Sequence, residues 1–181
     1  MKLIATEIPD VLIIEPKIFG DERGFFFESF NRREFAKLAG LDLDFVQDNH
    51  SRSAKNVLRG LHYQIEQSQG KLVRVIEGSI LDVVVDLRKS SKSFGKNVSI
   101  ELSSENKRML WIPKGFAHGF LVTSQTADVV YKTTDYFASQ HERIVAWNDP
   151  ALGINWNLSS PAILSSKDQN GTLLEKAAVF P

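Results

Sequence analysis

The 181-residue chain has no cysteine, no excess charge of either sign and no long hydrophobic run. Without cysteine there are no disulfides and no thiolate chemistry, so any metal would depend on histidine and carboxylate ligands. Lys and Arg total 22 and Asp and Glu total 22, which leaves no bulk charge to attract nucleic acid or a membrane surface. No apolar run approaches the roughly 18 residues of a membrane span, and residues 1–16 lack the pattern of a signal peptide. These absences predict a cytoplasmic protein with no nucleic-acid and no membrane partner.

The composition is otherwise that of an ordinary globular protein. Hydrophobic residues make up 43% of the chain and charged residues 24%. No low-complexity linker, charge block or internal repeat interrupts the sequence. The length therefore predicts a single domain over residues 1–181. The segment from Asp149 onward is expected to pack over that domain as a tail with a short helix.

Local patterns predict one early helix followed by many strands. Asn31 and Glu34 form a capping-box pattern, and Gly40 is a stop signal for the helix between them. Residues 81–87 alternate between an aliphatic face and a face that carries two aspartates, which is the period-two signature of a strand. Further strands are predicted at KLVRVI, VSIEL, MLWIP, GFLVT and VVYKTT. Many short strands separated by turns indicate an all-β sandwich or jelly-roll barrel.

His62, in the strand-like stretch GLHYQ, has three possible roles, and the first is that of a metal ligand. In a strand His62 and Gln64 face the same way, and His118 of PKGFAHGF could approach them in a barrel. A metal site of this kind needs a second histidine where Gln64 stands, while His50 and His141 lie in polar, loop-like stretches. A site short of ligands binds divalent metal weakly, so no metal is expected. The sequence also leads us to expect no other cofactor.

The second possible role of His62 is that of a base, and the third is ordinary packing. A carboxylate would fix its tautomer and stabilise the imidazolium, and Asp82 and Asp168 are both candidates for that partner. Lys71 could stabilise an enolate oxygen, and Tyr131 could give a proton from the opposite face. These are the parts that inversion beside a carbonyl group requires. Periodicity alone does not distinguish them from core and turn residues.

Two further stretches could hold an anion and a heterocyclic base. DERGFFFESF places Arg23 before three phenylalanines, and FVQDNHS supplies the amides of Gln47 and Asn49. Arg59 precedes the His62 strand, and the planar guanidinium group matches the oxygens of a phosphate. The outer two phenylalanines could equally belong to the core, and the amides could serve a turn.

Taken together, these stretches resemble the motifs of a known enzyme family. DERGFFFESF, QDNHSRS, RGLHYQ, QGKLVRVIEGSILDVVVDLR, IPKGFAHGF, YKTTDYF and SSKDQNG closely resemble, in order, the motifs of the dTDP-4-dehydrorhamnose 3,5-epimerases. The resemblance runs over nearly the whole chain, and several motifs in one order are far more specific than a single histidine pattern. It implies a cupin-like jelly-roll β-barrel, a metal-free site and a homodimer whose early strands extend the partner's sheet.

The resemblance also implies an activity and a set of site residues. The activity is epimerisation at C3 and C5 of dTDP-4-dehydro-6-deoxy-D-glucose on the route to dTDP-L-rhamnose. The implied catalytic groups are His62 as the base, Asp168 as its carboxylate partner, Lys71 beside the C4 oxygen and Tyr131 as the opposite-face acid. Asp82 could support the cavity from a second position. Substrate binding is implied for Arg23, Phe26, Glu28, Gln47, Asn49, Arg59, Lys71, His118, Tyr136, Phe137, Glu142 and Lys167.

Within that set, the thymine ring is expected near Phe26 and the pair Tyr136–Phe137, although family members vary at the position of Phe137. Three other functions compete with the double epimerase. They are a C3-only epimerase or ketoisomerase acting on the same type of sugar, a metal-dependent cupin enzyme, and a module that only binds nucleotide sugars.

Overall fold

A computed structural model describes residues 1–181, and most of its regular structure consists of strands. The thirteen strands are β1 (Lys2–Ala5), β2 (Leu12–Glu15), β3 (Phe19–Asp21), β4 (Gly24–Phe26), β5 (Gln47–Ala54), β6 (Leu58–Gln64), β7 (Lys71–Glu77), β8 (Ser79–Asp86), β9 (Asn97–Ser103), β10 (Met109–Ile112), β11 (Phe116–Val122), β12 (Thr126–Thr133) and β13 (Glu142–Ile144). The two α-helices are α1 (Arg32–Ala39) and α2 (Ser166–Gln169), and short 3₁₀ turns lie at Ser139–His141, Pro150–Leu152 and Leu174–Lys176.

Two antiparallel sheets face each other across the main hydrophobic core. The six-stranded sheet has the order β1-β2-β10-β7-β12-β5, and the five-stranded sheet has the order β13-β6-β11-β8-β9. Strands β3 and β4 pair only with each other, as a separate hairpin. The inner faces of both large sheets supply one cluster of 16 buried residues, with Val73, Leu110 and Val129 from one sheet and Val84 and Phe120 from the other. The predicted jelly-roll architecture is confirmed.

The early helix forms where its capping signals predict it. The Asn31 side chain accepts a hydrogen bond from the backbone N–H of Glu34 at 3.2 Å, and Gly40 ends the helix in the left-handed conformation. Phe35 is buried against Trp111 on the outer face of the six-stranded sheet. The helix therefore covers part of that face and leaves the interior between the sheets free.

Strand β8 alternates as predicted, but both of its faces are buried. Val84 faces the core between the sheets, whereas Val83 and Val85 belong to a second cluster on the outer face of the five-stranded sheet. That cluster includes Leu152 and Trp156 and, more peripherally, other residues of the C-terminal segment. A strand with an apolar face usually exposes the other face in an antiparallel sheet. Here the segment after Asp149 covers it.

His62 and Tyr63 are neighbours on β6 and point to opposite faces of the sheet, and the C-terminal segment contacts Tyr63. Tyr63 lies on the outer face, where its hydroxyl donates a hydrogen bond of 2.5 Å to the carbonyl of Ala178 and its ring contacts Phe180. His62 therefore points between the sheets. Because side chains alternate along β6, Tyr63 holds the C-terminal segment against the outer face while His62 points into the space between the sheets.

Two glycines bring β6 and β11 unusually close together. A Cβ atom on Gly119 would lie 2.6 Å from the carbonyl oxygen of Arg59, and one on Gly60 would lie 2.5 Å from the Cα of Gly119. Both distances are too short for a real side chain. His118 lies directly opposite His62 in this ladder, so the close approach also places the two imidazole-bearing residues side by side.

None of the helices has the length and apolar character needed to cross a membrane.

Candidate active site

A cavity of about 240 Å³ opens between the two sheets at the level of His62. Strands β6 and β11 form one wall, while β7 and β12 form the opposite wall, so side chains from both sheets point into the same space. Its lining includes eight of the predicted site residues, namely Arg59, His62, Lys71, His118, Tyr131, Phe137, Glu142 and Lys167.

His62 is paired with Asp168 rather than with Asp82. The Nε2 atom of His62 lies 2.5 Å from Oδ1 of Asp168, which α2 presents from the C-terminal segment. The Asp168 side chain is only 5% exposed, whereas that of His62 is 30% exposed and reaches the cavity. A buried carboxylate on one ring nitrogen orients the imidazole and stabilises its protonated form.

The carboxylate of Asp168 is kept ionised by its neighbours. Burial by itself raises the pKa of Asp168, but hydrogen bonds from His62 and Ser165, with a contribution from the backbone N–H of Gly60, outweigh it and lower the pKa. The Ser165 hydroxyl donates to Oδ2 at 2.7 Å, which leaves Oδ1 to His62. Each carboxylate oxygen therefore has its own partner.

Asp82 forms a second buried group with His118 and Lys71. The Nε2 atom of His118 lies 2.9 Å from Oδ2 of Asp82, and both side chains are almost fully buried. Burial raises the pKa of Asp82, although the nearby His118 and Lys71 oppose that effect. The other carboxylate oxygen, Oδ1, is buried without a hydrogen-bond partner. Asp82 thus places a second buried carboxyl group next to the cavity residues Lys71 and His118, at a position distinct from that of Asp168.

Lys71 brings an ammonium group into this low-dielectric environment. The residue is 7% exposed and lines the cavity. Burial lowers its pKa to about 8, against the opposing influence of the carboxylates of Asp82 and Glu142. Below that pH it is a cation with little surrounding water, and such a group stabilises a developing oxyanion far better than an exposed lysine does.

Tyr131 lies on the wall opposite His62. It belongs to β12 of the six-stranded sheet, whereas His62 belongs to β6 of the five-stranded sheet. Burial raises the pKa of Tyr131, with a smaller lowering influence from Arg59 and a smaller raising influence from Glu142. The phenol therefore stays protonated at neutral pH. The imidazole of His62 and the phenol of Tyr131 therefore face one space from opposite sides.

A salt bridge links two of the predicted binding residues at the edge of the cavity. The Nζ atom of Lys167 lies 2.6 Å from a carboxylate oxygen of Glu142. Glu142 comes from β13, and Lys167 comes from α2 directly before Asp168. Arg59 adds a second cation to the lining, and its Nε donates to the hydroxyl of Ser53 at 3.0 Å. The site thus combines cationic side chains with three acidic ones, those of Asp82, Glu142 and Asp168, although the whole chain has no net charge.

Gln47 connects β5 to the aromatic loop at the rim. Its Nε2 donates to Oδ1 of Asn49 at 2.9 Å, and its Oε1 accepts the backbone N–H of Phe137 at 3.0 Å. Phe137 lines the cavity, while the neighbouring Tyr136 is 61% exposed. The predicted amide pair and the predicted aromatic pair therefore form one connected rim.

Gln64, which replaces a possible metal ligand in the sequence, holds this aromatic loop in place. Its amide donates to the carbonyls of Gln67 and Tyr136, and its oxygen accepts the N–H of Ala138 at 2.9 Å. Sequence reasoning considered Gln64 only as a poor ligand and missed this role. No group of three or more histidine and carboxylate side chains is arranged to hold a metal ion.

Six predicted binding residues are absent from the cavity lining: Gln47, Asn49 and Tyr136, described above at the rim, and three others nearer the β3–β4 hairpin. Arg23 pairs with Asp21 in the β3–β4 hairpin, and Phe26 is 67% exposed on the same hairpin. Glu28 accepts a hydrogen bond from the side chain of Asn31. None of the three contributes to the cavity lining.

Ser165 is a site residue that the sequence analysis did not identify. It is the N-cap of α2, and its hydroxyl oxygen accepts the backbone N–H of Asp168 while its O–H donates to the Asp168 carboxylate. A signal was available, because Ser-x-x-Asp within SSKD is a capping pattern. That pattern marks a helix start and says nothing about proximity to His62.

Comparisons with known proteins identify the family to which the chain is similar. Residues 5–176 match the sequence profile described as dTDP-4-dehydrorhamnose 3,5-epimerase. A curated protein of that name from Pseudomonas aeruginosa is 56% identical over 181 residues, covering all of both chains. The crystal structure of a dTDP-6-deoxy-D-glucose-3,5-epimerase from Legionella pneumophila in complex with dTDP-4-keto-L-rhamnose has a TM-score of 0.96 and 52% identity, covering 98% of this chain and 94% of that one. A 3'-monoepimerase from Streptomyces bikiniensis, in complex with dTDP-quinovose, is more distant, with a TM-score of 0.89 and 32% identity over 94% of this chain and 87% of that one.

Proposed function

The chain belongs to the dTDP-4-dehydrorhamnose 3,5-epimerase family, and on that premise we propose that His62, Lys71 and Tyr131 carry out its reaction from the walls of the cavity. The protein converts dTDP-4-dehydro-6-deoxy-D-glucose into dTDP-4-dehydro-L-rhamnose by inverting C3 and C5, a step towards dTDP-L-rhamnose. The observation that carries the residue assignment is the His62–Asp168 pair, held at 2.5 Å on one wall with Tyr131 on the other.

The first half of each inversion is removal of a proton beside the ketone. Neutral His62 removes the proton from the carbon next to C4. The electron pair of that C–H bond forms a C=C bond to C4, and the π electrons of the ketone move to the C4 oxygen. Asp168 stabilises the imidazolium that results, and the ammonium of Lys71 stabilises the enolate oxygen. Buried charges suit this step because they strengthen electrostatic interactions and need little reorganisation.

The second half returns a proton to the opposite face of the same carbon. Tyr131 donates its phenolic hydrogen as the ketone reforms, so the carbon inverts. Because the ketone acidifies the hydrogens at both C3 and C5, one base and one acid serve both inversions if the sugar ring reorients between them. The imidazolium then loses its proton and the phenolate regains one, and exchange of these protons with solvent introduces solvent hydrogen into the product.

The remaining predicted residues are proposed to hold the nucleotide. Arg59, His118, Glu142 and Lys167 line the cavity where the sugar and diphosphate would meet it. Gln47, Asn49, Tyr136 and Phe137 form the rim that would contact the thymine ring. A cavity of about 240 Å³ is small for a complete ligand site, for which roughly 300–1,000 Å³ is usual, so it suits the hexose with the nucleotide along the rim.

We also propose that the protein works as a homodimer in which the β3–β4 hairpin completes the partner's site. At least half of the surface of each of three hairpin phenylalanines, Phe19, Phe25 and Phe26, is exposed to solvent. A cluster of exposed aromatic side chains is typical of an interaction surface. Arg23 and Phe26 lie outside the cavity of their own chain, yet they match binding positions of the family. A second copy of the chain would cover these exposed phenylalanines, and Arg23 and Phe26 would then reach the cavity of that second copy. We further propose a single-domain, cytoplasmic enzyme that needs no metal or other cofactor.

The residue assignment is tested by following deuterium uptake from heavy water. The unmodified protein, incubated with dTDP-4-dehydro-6-deoxy-D-glucose, should yield product labelled at C3 and C5 in the NMR spectrum. His62→Asn should abolish both labels because the base is gone. His141→Asn is the matched control, since His141 lies outside the cavity beside Glu66 and should leave labelling unchanged.

Each result of this experiment has a distinct meaning. Normal labelling in His62→Asn would remove His62 from the mechanism. Labelling at C3 alone in the unmodified protein would instead indicate a single inversion, the reaction named for the more distant Streptomyces bikiniensis structure.

A further inference from the structure

The Asp168 carboxylate has a second hydrogen-bond partner that sets its orientation. The hydroxyl of Ser165 lies 2.7 Å from Oδ2 and donates to it, while Nε2 of His62 lies 2.5 Å from Oδ1. The same Ser165 oxygen accepts the backbone N–H of Asp168 at 3.1 Å. One hydroxyl therefore fixes both the backbone and the carboxylate of the residue that orients His62.

We infer that Ser165 is a positioning residue of the reaction, the third member of a His62–Asp168–Ser165 chain, beyond its structural role as a helix cap. This inference rests on the proposed function of His62 and adds a residue to that site. Ser165 touches neither the substrate nor the reacting atoms, so it acts only through Asp168.

Two features of the structure support a role beyond capping. First, α2 has only four residues, Ser166–Gln169, so its own hydrogen bonds hold Asp168 weakly and an external tether is valuable. Second, a cap needs only an acceptor at Ser165, yet here the hydroxyl also donates to the Asp168 side chain. A hydrogen bond to a charged acceptor is among the stronger kinds in proteins.

The Ser165 hydroxyl also affects the ionisation of Asp168. It is one of the donors that lower the pKa of Asp168 against the raising effect of burial. The carboxylate must be ionised to stabilise the imidazolium of His62, so this stabilisation is present above the pKa of Asp168 and is lost as the pH falls through it. Removing the donor should raise that pKa, which a titration of the carboxyl group itself would detect.

Three substitutions separate the donor from the cap. Ser165→Ala removes both functions and should lower kcat about tenfold while KM changes less than about twofold. Ser165→Thr keeps a hydroxyl and should restore kcat to within about threefold of the unmodified enzyme. Ser165→Asp keeps a good cap for α2 but replaces the donor with a second carboxylate, so it should be less active than Ser165→Ala.

Ser166→Ala is the matched control, because Ser166 is an exposed serine in the same helix with no side-chain hydrogen bond, and it should leave kcat unchanged. The melting temperature of every variant is also measured, so that a fall in kcat caused by unfolding can be distinguished from one caused by the lost hydrogen bond. Wild-type activity in Ser165→Asp, or a kcat in Ser165→Thr as low as in Ser165→Ala, would reduce Ser165 to a helix cap and overturn the inference.

A readout independent of turnover separates this inference from the proposed function. In protein labelled with ¹³C at the aspartate carboxyl carbons, the Asp168 resonance is assigned by its loss in Asp168→Asn and followed through an acid titration. The midpoint should move to higher pH in Ser165→Ala and further in Ser165→Asp, and unchanged midpoints would contradict the inference. Absence of deuterium uptake in the unmodified enzyme would instead contradict the proposed function, whatever the titration shows.

Discussion

At the scale of single residues, the proposed acid and the proposed base lie on opposite walls of the cavity, and Tyr131 offers the clearest test of that proposal. Tyr131→Phe removes one hydroxyl from the wall opposite His62, while the base and the oxyanion partner remain. We expect the rate of inversion to fall roughly 100- to 10,000-fold, the usual contribution of a positioned acid. Removal and return of the proton by His62 should continue on one face. Deuterium should therefore enter the unconverted substrate, as NMR of the recovered sugar nucleotide would show.

Tyr63→Phe is the control for Tyr131→Phe, because it also removes a buried tyrosine hydroxyl, but on the outer face of the sheet. It should cost roughly 1 kcal/mol of stability through the lost bond to Ala178 and leave the product unchanged. Rapid inversion by Tyr131→Phe would show that another group, or water, supplies the second proton.

The ammonium of Lys71 should determine the alkaline limb of the pH profile. Its pKa is lowered to about 8 by burial, so the cation proposed to stabilise the enolate is lost above that pH. The pKa of Tyr131 is raised above its ordinary value, so the phenol remains protonated through the same range. We expect kcat/KM to fall about tenfold per pH unit above pH 8. Measuring kcat/KM from pH 6 to about 10 checks this.

Substitution of Lys71 assigns that limb. Lys71→Met should be slow at all pH values and should lack the decline near pH 8, whereas the exposed Lys92→Met should keep the profile of the unmodified enzyme. A decline near pH 8 that persists in Lys71→Met would assign the alkaline limb to a different group.

At the scale of secondary-structure elements, the close contact of β6 and β11 fixes the position of His62 beside His118. Gly119→Ala would place a methyl group 2.6 Å from the carbonyl of Arg59 and 3.0 Å from the Cα of Gly60. Both obstacles are backbone, so the strands must separate. We expect a loss of about 1–3 kcal/mol in the free energy of unfolding together with reduced activity. Chemical denaturation and turnover measure the two effects.

The control for the strand contact is Gly20→Ala, in the exposed hairpin. Its added methyl would meet nothing closer than 3.6 Å, so the free energy of unfolding should change by less than about 0.5 kcal/mol. Full stability in Gly119→Ala would mean that the two strands can separate without cost.

Helix α1 and strand β8 show which features of the fold could be predicted from the sequence and which could not. Helix α1 was predictable because its cap, buried face and stop signal are all local, from Asn31 to Gly40. The alternation of β8 predicted a strand, but not that both faces would be buried, because the cover comes from residues such as Leu152 and Trp156 far along the chain. Local patterns report on local structure, and coverage of an outer face depends on tertiary contacts.

The partner of His62 illustrates the same limit within the site. Residues alone left Asp82 and Asp168 as equal candidates, and only the family resemblance favoured Asp168. The chosen pair is separated by 106 positions in sequence, and no periodicity connects positions so far apart. Asp82 shares the face of Val84, which points between the sheets, and its side chain pairs with His118. The strand pattern did not indicate which of the two faces would point inward. The sequence showed which side chains could act as a base and as its carboxylate partner, but only the fold showed which carboxylate lies next to His62.

At the scale of the whole molecule, the exposed hairpin predicts that a complete active site needs two chains. If the hairpin of one subunit serves the cavity of the other, Arg23→Ala and His62→Asn damage different parts of each site. Co-expression with distinct tags should give half mixed dimers, each with one intact site, so about a quarter of all sites should work before purification and about half once both tags have selected the mixed dimers. Each variant alone should be nearly inactive. Purification through both tags and assay of deuterium uptake measure the recovery.

The same experiment contains its own control, because His62→Asn and Asp168→Asn both damage the cavity wall of their own chain. A mixed dimer of those two variants has a defective wall in every site and should recover nothing. Recovery by Arg23→Ala with His62→Asn, but not by the two wall variants together, would assign the hairpin to the partner's cavity. Failure of both pairs to recover activity, in dimers shown by mass to contain both chains, would mean that Arg23 acts within its own subunit. The exposed phenylalanines would then need a different explanation, since their burial against a second chain is what makes this hairpin stable in the proposed assembly.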